Sequence, residues 1–331
     1  MARVIETLHP AFIIIGIIGI LGNTLVLYVL RSVRSLQTNT NVLILNQSII
    51  DLCTCVVFLM YYMSSPLVFD NTSTTTSIFC FFWESGYMYW SLSFASTANL
   101  ICLNLQRYVS VLHSIKYKNS FTVKKARIVL AVPWLYGFIF LLYYGLSNEV
   151  NEKKVCVPIR SATASKIWGI AVFISQCAIP IICISIVYIR IVLFLRCHRV
   201  VSRSNIGIGN TNGIGMAASK RRANVVKTLF LICGCYCICW TPNQLYYLYI
   251  NIGEIEDYKK STFFQVTLIL VNFNACINPI IYTCNYSQFK QGLAKSFKKS
   301  CCFGSNVNDN PANANSAMAR NDNNPISTIF H

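Results

Sequence analysis

The stretch Thr228–Gly253 reads TLFLICGCYCICWTPNQLYYLYINIG and contains no Lys, Arg, Asp or Glu. A helix of about 20 apolar residues crosses the hydrocarbon core of a bilayer, so this window predicts a membrane-spanning helix. Its Pro242 is compatible with that prediction, because neighbouring helices and waters satisfy freed backbone groups in spanning bundles. Lys227 comes directly before the window and Glu254 directly after it. This stretch therefore points to an integral membrane protein.

Six further windows of the same kind occur along the chain. They are Pro10–Leu30, Val42–Leu67, Ser85–Gln106, Ile128–Asn148, Ile167–Ile189 and Ser261–Phe289. Asp51 is the one charged residue inside them, and Asn285 to Ser287 is expected to break the last window. A cleaved signal peptide is the rival interpretation of the first window, but the stretch is too long and lacks a basic n-region. The sequence predicts an all-α membrane protein, a seven-transmembrane helix bundle.

The composition of the whole chain agrees with a membrane protein. Of its 331 residues, 54% are hydrophobic and 12% are charged, and the mean hydropathy is +0.50. A soluble domain has about 25% charged residues, so this chain has too little polar surface to cover a water-exposed fold. The net charge of +17 is not arranged as a basic stripe on a soluble scaffold, which argues against nucleic acid as a partner.

The Lys and Arg residues lie mostly on one side of the predicted membrane. Only seven of the 28 are on the other side, namely Arg3, Lys153, Lys154, Arg160, Lys166, Lys259 and Lys260. Cytoplasmic loops carry the excess of Lys and Arg. We therefore predict a multi-pass protein of the plasma membrane, in contact with the lipid bilayer, with its N-terminus outside and its C-terminus inside.

The predicted organisation has four parts. Residues 1–9 form a short extracellular N-terminus, residues 10–289 the transmembrane domain, residues 290–303 a short amphipathic eighth helix with a cysteine pair, and residues 304–331 a disordered, Asn-rich cytoplasmic tail. Residues 202–219, rich in Gly, Asn and Ser, are expected to be a flexible loop.

Polar side chains in hydrocarbon are costly, so those inside the windows are candidates for function. In chain order the windows hold Gly22-Asn23, Asn46 with Asp51, Gln106-Arg107-Tyr108, Trp134, Pro180 with Tyr188, Cys239-Trp240-Thr241-Pro242 and Asn278-Pro279-Ile280-Ile281-Tyr282. In these seven motifs, each in its own window, the chain resembles the rhodopsin-like (class A) G-protein-coupled receptors from about Pro10 to Cys302.

The resemblance implies a receptor, not an enzyme, that activates a heterotrimeric G protein when its sixth helix moves. Arrestin is a second expected cytoplasmic partner. The residues that match the family's switch are Gln106, Arg107, Tyr108, Tyr188, Trp240, Pro242, Asn278, Pro279 and Tyr282. Gln106 departs from the family pattern, which usually has an acid there. The simpler interpretation of Arg107 alone is an interfacial arginine whose head reaches water.

The same resemblance implies an allosteric sodium ion beneath the ligand pocket, and no other cofactor. The matching residues are Asp51, Ser96, Trp240, Asn274 and Asn278. Ser96 precedes Arg107 by three helical turns, which is the matching depth. The alternative is a hydrogen-bonded structural cluster without an ion.

The resemblance also sets expectations for the ligand. Amine receptors have an Asp where this chain has Tyr89, and opsins have the retinal-binding Lys where it has Asn272, so both ligand classes are disfavoured. The expected ligand-binding residues are Glu84, Tyr89, Trp90, Ser93, Asn243, Tyr246, Tyr247, Leu268 and Asn272. An aromatic, amide-rich wall below a rim of mixed charge favours a short neuropeptide with a basic end. A non-amine small molecule or lipid is the alternative.

Three modifications are expected. Cys80 and Cys156 are the cysteines on the predicted outer side, and a disulfide between them is a bridge that the family has. Cys80 lies two residues further from Arg107 than is usual in the family. Asn71 begins an Asn-x-Ser/Thr match in an outer loop and is a glycosylation candidate. Cys301 and Cys302 follow the amphipathic segment and are palmitoylation candidates.

Two other classes of membrane protein are alternatives to the receptor. A transporter or channel commonly shows internal repeats, and no segment of this chain has a second copy. A membrane hydrolase needs clustered His or carboxylates at membrane depth. The four histidines, His9, His113, His198 and His331, all lie outside the windows.

Overall fold

The computed structural model describes residues 6–38, 41–64, 73–113, 115, 117, 122–204, 212–255, 258, 261–285, 287–303 and 329. Only the backbone is described for residues 123, 198–204, 212–229, 285, 287 and 297–303.

Seven long helices form a bundle among these residues, one for each predicted window. They are α1 (His9–Ser32), α2 (Val42–Met63), α3 (Tyr87–Leu112), α4 (Val123–Phe140), α5 (Ala162–Phe173, a π-helical turn Ile174–Ala178 and Ile179–Ser204), α6 (Asn212–Ile252) and α7 (Thr262–Asn285). α1 packs on α2, α2 on α3, α3 on α4 and α5, α5 on α6, and α6 on α7. α7 closes the bundle against α1, where Asn23 donates to the carbonyl of Ala275 at 3.1 Å.

Five helices in the described part of the chain are long and apolar enough to cross a membrane by length and composition. They are Glu6–Ser32, Val42–Met63, Lys124–Leu146, Ala162–Cys197 and Thr262–Cys284. The other two bundle helices, α3 and α6, carry more polar side chains, and Asn99 and Asn243 are buried against neighbouring helices. Apolar side chains such as Leu21 and Ile167 point outward, 65% and 64% exposed, as lipid-facing residues do.

α7 ends at Asn285 and α8 (Ser287–Phe303) begins at the next described residue, on either side of the position expected to break the last predicted window. Phe289 is buried whereas Lys290 is exposed, so this helix is amphipathic. At Gly292 a Cβ would come within 2.5 Å of the Leu36 side chain. α8 therefore packs closely on the turn between α1 and α2.

The predicted boundaries of the flexible loop, residues 202–219, included too many residues. Residues 202–204 continue α5, and residues 212–219 are the first turns of α6. The residues Met216–Ala223 include Ala, Lys and Arg, which favour helix although they are not hydrophobic enough to span a membrane. Of the predicted loop, only residues 205–211 lie outside the described chain. The predicted disordered tail also lies outside it, apart from Ile329.

One end of the bundle is covered by a short hairpin and by the disulfide, and we call it the disulfide end. The strands β1 (Asn148–Val150) and β2 (Cys156–Pro158) pair antiparallel, and Cys156 is bonded to Cys80. This is the expected pairing. Cys80 opens a π-helical turn that ends at Glu84, and Gly86 then starts α3 with φ +84°. A π-helical turn is wider than an α-helical one, and a glycine adopts the left-handed conformation without strain, so the chain changes direction between Cys80 and α3.

Candidate functional site

The centre of the disulfide end is an aromatic cluster around Tyr89, which is fully buried. Its ring centroid lies 5.4 Å from that of Tyr62, 5.7 Å from that of Phe58 and 4.8 Å from that of Trp90. Phe12 of α1 stacks on Phe58 at 5.1 Å. The cluster therefore joins α1, α2 and α3 in a layer of rings, which contributes both apolar burial and ring-edge attraction.

A neutral pair links α3 to α7 within this layer. Asn272 donates from Nδ2 to the Tyr89 hydroxyl at 2.8 Å and to the Leu268 carbonyl at 3.0 Å. The Oδ1 atom of Asn272 is buried and has no hydrogen-bond partner. The two positions that would carry a charge in amine receptors or in opsins therefore form one uncharged hydrogen bond, with one carbonyl oxygen left to accept.

The other predicted ligand residues divide between two neighbouring clusters. Trp90, Tyr246 and Leu268 pack in the same cluster as Tyr89. Tyr247 packs instead against a second cluster that contains Trp168. Both clusters lie at the disulfide end, so most of the predicted wall is brought together.

Three predicted wall residues form hydrogen bonds with residues near them. Ser93 donates to the Tyr89 carbonyl of its own helix at 3.0 Å, and Asn243 donates to the Thr267 hydroxyl at 3.0 Å. Glu84 lies on the π-helical turn, where its carbonyl accepts from the Tyr61 hydroxyl at 3.3 Å. These contacts position the wall, and they leave the Tyr89–Asn272 pair as its most central polar feature.

A polar network surrounds Asp51 in the middle of the bundle. Oδ1 of Asp51 accepts from the Ser96 hydroxyl at 2.7 Å and from the Gln47 amide at 2.9 Å, and Oδ2 accepts from the Asn278 amide at 2.9 Å. The Gln47 amide also donates to the Ser96 oxygen at 2.7 Å. Three of the five predicted sodium ligands thus lie together, while the indole N–H of Trp240 has no hydrogen-bond partner and Asn274 is buried nearby on α7.

The donor set around Asp51 does not fit a bare cation in this arrangement. A sodium ion needs oxygen atoms that are free to accept it, but the –NH₂ group of Gln47 points at both Asp51 Oδ1 and Ser96 Oγ. The Gln47 amide therefore places the positive end of its dipole at the position where a sodium ion would place its charge. Among the described residues, no group of three or more His, Cys, Asp or Glu is placed to hold a metal. The sodium ion and its ion-free alternative both stay predictions.

The network continues away from Asp51 to Asn46 and Trp134, which belong to the predicted motifs, through Gln47 and Asn99, which no motif includes. Asn99 donates to Gln47 Oε1 at 2.8 Å, Asn46 donates to Asn99 Oδ1 at 2.8 Å, and the Trp134 indole donates to Asn46 Oδ1 at 3.1 Å. Helical spacing carried a signal for both missed residues: Gln47 is one turn before Asp51 and Asn99 is one turn after Ser96. α2, α3 and α4 are therefore fixed by one continuous chain of amides.

Trp240 lies on α6 two residues before Pro242, which stands inside this continuous helix. Its ring is stacked on Tyr236 at 5.9 Å, and Tyr236 donates its hydroxyl proton to the carbonyl of Gln176 in the π-helical turn of α5. Proline removes one backbone hydrogen bond from a helix. The proline-containing part of α6 is thus linked through Tyr236 to the π-helical turn of α5.

Arg107 and its neighbours on α3 lie at the opposite end of the bundle, which we call the Arg107 end, whereas the predicted switch residues Trp240 and Asn278 lie deeper in it. Arg107 is 8% exposed at the last turns of α3, and Gln106 donates to the Tyr117 hydroxyl at 2.8 Å. Tyr282 is buried in the main core, and Tyr108 and Tyr188 pack against the same core. Pro279 lies within α7, one turn before Thr283, which donates to its carbonyl at 2.8 Å.

Three predicted modification residues cannot be placed. Asn71 lies outside the described residues, and for Cys301 and Cys302 only the helical backbone is described. Glycosylation and palmitoylation therefore stay predictions.

The profile of the family described as 7 transmembrane receptor (rhodopsin family) matches residues 22–282. The chain belongs to this family. It is therefore a seven-helix, multi-pass protein of the plasma membrane that acts as a receptor and not as an enzyme.

Among curated proteins the chain is similar to receptors of two kinds. It is 26% identical to galanin receptor type 2 of Homo sapiens over 291 residues, 85% of this chain and 70% of that protein. It is 26% identical to galanin receptor 2b of Danio rerio over 309 residues, 88% of this chain and 76% of that protein. It is also 26% identical to the alpha-1D adrenergic receptor of Homo sapiens over 327 residues, 86% of this chain and 55% of that protein.

Proposed function

We propose that this receptor binds a short extracellular peptide at the disulfide end and activates a heterotrimeric G protein at the Arg107 end through a movement of α6. The N-terminus is then extracellular and the C-terminus cytoplasmic. The excess of Lys and Arg in the loops of the Arg107 end supports this orientation. Arrestin is the second proposed partner of the same cytoplasmic face.

The buried pair of Tyr89 and Asn272 is the observation that carries the choice of ligand. The relatives do not agree on a class of ligand, because some are galanin receptors and others are adrenergic receptors. A buried ammonium group needs a carboxylate partner, since an unpaired charge is costly in a low dielectric. Tyr89 and Asn272 offer a hydroxyl and an amide oxygen instead. These groups suit the amides and aromatic side chains of a peptide.

A non-amine small molecule or lipid is the second candidate. The apolar character of the aromatic cluster favours it, because Phe12, Phe58 and Leu268 are all fully buried there. A ligand of this kind would have to open the cluster, whereas a peptide could contact its rim first.

The proposal is tested by a ligand screen with G-protein activation as the readout. Cells that express the receptor are exposed to galanin, to a panel of other short peptides, to an adrenergic agonist and to a lipid panel. Arg107→Ala, checked for equal surface expression, is the matched control. We expect activation by a peptide in the wild type and none in Arg107→Ala. Activation by the adrenergic agonist or by lipids alone would contradict the peptide assignment.

A further inference from the structure

Arg160 is a partly buried cation at the disulfide end that no predicted site includes. It lies between β2 and the start of α5, where the hairpin returns to the bundle. Its Nε and Nη1 atoms are shielded from solvent and have no hydrogen-bond partner. A guanidinium has five N–H donors and stays charged at any physiological pH. Leaving such donors unpaired is costly, so the position calls for an acceptor.

The surroundings of Arg160 are aromatic. Its guanidinium carbon lies 5.0 Å from the ring centroid of Tyr144, in cation–π contact. Burial acts to lower the pKa of Arg160, but the nearby phenols of Tyr247, Tyr144 and Tyr258 leave that pKa above its ordinary value. The positive charge is thus held by ring faces and hydroxyl groups, and none of these neighbours is a carboxylate.

A second unsatisfied donor borders the same ring. Trp168 at the beginning of α5 is 8% exposed, and its indole N–H has no hydrogen-bond partner. Its ring centroid is 6.5 Å from that of Tyr144, and Tyr247 packs against the same cluster. Two donor groups from different segments therefore flank Tyr144, next to a residue of the predicted ligand wall.

Three described acids of the neighbouring loops are exposed or paired with another cation. Glu149 and Glu152 are exposed, and Glu254 pairs with Lys166 at 2.8 Å, with both side chains about half exposed (52% and 46%). An exposed ion pair contributes little and is screened by salt. A desolvated cation attracts a counter-charge much more strongly.

We propose that Arg160, with Tyr144 and Tyr247, forms an anion-binding subsite that holds a carboxylate group of the receptor's ligand. This inference deepens the proposed function and rests on it for the identity of the site as a ligand site. The planar guanidinium binds a carboxylate through two parallel hydrogen bonds, which an ammonium cannot reproduce. The carboxylate can be the C-terminus of a peptide or an Asp or Glu side chain.

The first test needs no agonist and no G protein. The purified full-length receptor in nanodiscs is heated with phenylacetate or with phenylacetamide, its neutral counterpart, and the Tm is measured. We expect phenylacetate to raise the Tm more than phenylacetamide does. That difference should vanish in Arg160→Gln and persist in Lys166→Gln, which removes an exposed cation of the same end. Equal shifts with the two compounds, or an undiminished difference in Arg160→Gln, would overturn the proposal.

The second test uses a peptide agonist found in the ligand screen, made as a C-terminal acid, as a C-terminal amide and with each Asp or Glu replaced by its amide. In the wild type one of these neutral forms should lose about tenfold in potency, equivalent to about 1.4 kcal/mol. Its charged parent should lose the same factor in Arg160→Gln, less in Arg160→Lys, and nothing in Lys166→Gln. Surface expression is matched for all variants. A charged agonist whose potency is the same in Arg160→Gln as in the wild type would refute the subsite.

The two proposals can fail separately. If phenylacetate stabilises the receptor through Arg160 while no ligand activates a G protein, the anion subsite stands and the proposed signalling function falls. If peptides activate the receptor but phenylacetate and Arg160→Gln have no effect, the proposed signalling function stands and the anion subsite falls.

Discussion

Replacing Gln47 with leucine is expected to destabilise the bundle and to make it sensitive to sodium. The wild-type amide donates to Asp51 at 2.9 Å and to Ser96 at 2.7 Å, and it accepts from Asn99 at 2.8 Å. A net hydrogen bond is worth about 1 kcal/mol, and one to a charged group about 1.5–3 kcal/mol. Asp51 keeps Ser96 and Asn278 as donors, and Asn99 keeps the carbonyl of Leu43. The loss is therefore smaller than the sum of three bonds, about 2–3 kcal/mol.

The measurement is thermal unfolding of the purified receptor in sodium chloride and in choline chloride at equal ionic strength. At about 2 °C per kcal/mol for a large chain, Gln47→Leu should lower the Tm by roughly 5 °C in choline chloride. Sodium should restore part of that loss, because the variant frees Asp51 Oδ1 and Ser96 Oγ from the amide. The wild type should show the same Tm in both salts.

Gln244→Leu is the matched control, because Gln244 is also a buried amide but makes only a 3.4 Å bond to Asn243. Its Tm should change by less than half as much and should not depend on sodium. A wild-type receptor that sodium stabilises, or equal effects of the two substitutions, would refute the role given to Gln47 and favour the sodium ion at Asp51.

Three further predictions concern the disulfide end. Tyr89→Phe removes the hydroxyl that accepts from Asn272 and should lower the free energy of unfolding by about 1 kcal/mol; denaturation that matches the wild type would show that the pair is not formed. Cys80→Ser breaks the bridge to Cys156, with an expected loss of about 2–5 kcal/mol and reduced surface expression, and normal expression would contradict this. Gly86→Ala should cost roughly 1–2 kcal/mol, because φ there is +84° and L-residues resist that conformation; an unchanged Tm would count against the glycine-dependent entry into α3.

Much of the fold could be predicted because the thickness of the bilayer sets the length of each hydrophobic window. Windows of about 20 residues with no charge, or with Asp51 alone, located all seven helices, and the end of α7 at Asn285 was visible as a polar interruption. The ends of the helices were less accurate. α6 begins at Asn212 rather than near Thr228, because helices continue into water wherever their residues favour helix, and hydropathy carries no signal there.

The candidate site was predicted in part. Asp51, Ser96 and Asn278 were found because family motifs name them, and the structure brings them together. Gln47 was missed, because its role depends on the side of α2 that meets α3, and a single sequence does not give this contact. Arg160 was counted only as an outer loop charge. Its neighbours Tyr144, Tyr247 and Tyr258 come from other segments of the chain, and a single sequence does not give these contacts.

Guanine-nucleotide exchange by the reconstituted receptor tests the central claim most directly. The receptor in nanodiscs is mixed with purified heterotrimeric G proteins of each class, and nucleotide exchange is timed with and without a panel of short peptides. We predict that at least one peptide accelerates exchange in the wild type about tenfold or more. The same peptide should bind Arg107→Ala without accelerating exchange. Exchange that no peptide changes, or that Arg107→Ala supports as well as the wild type, would contradict the account.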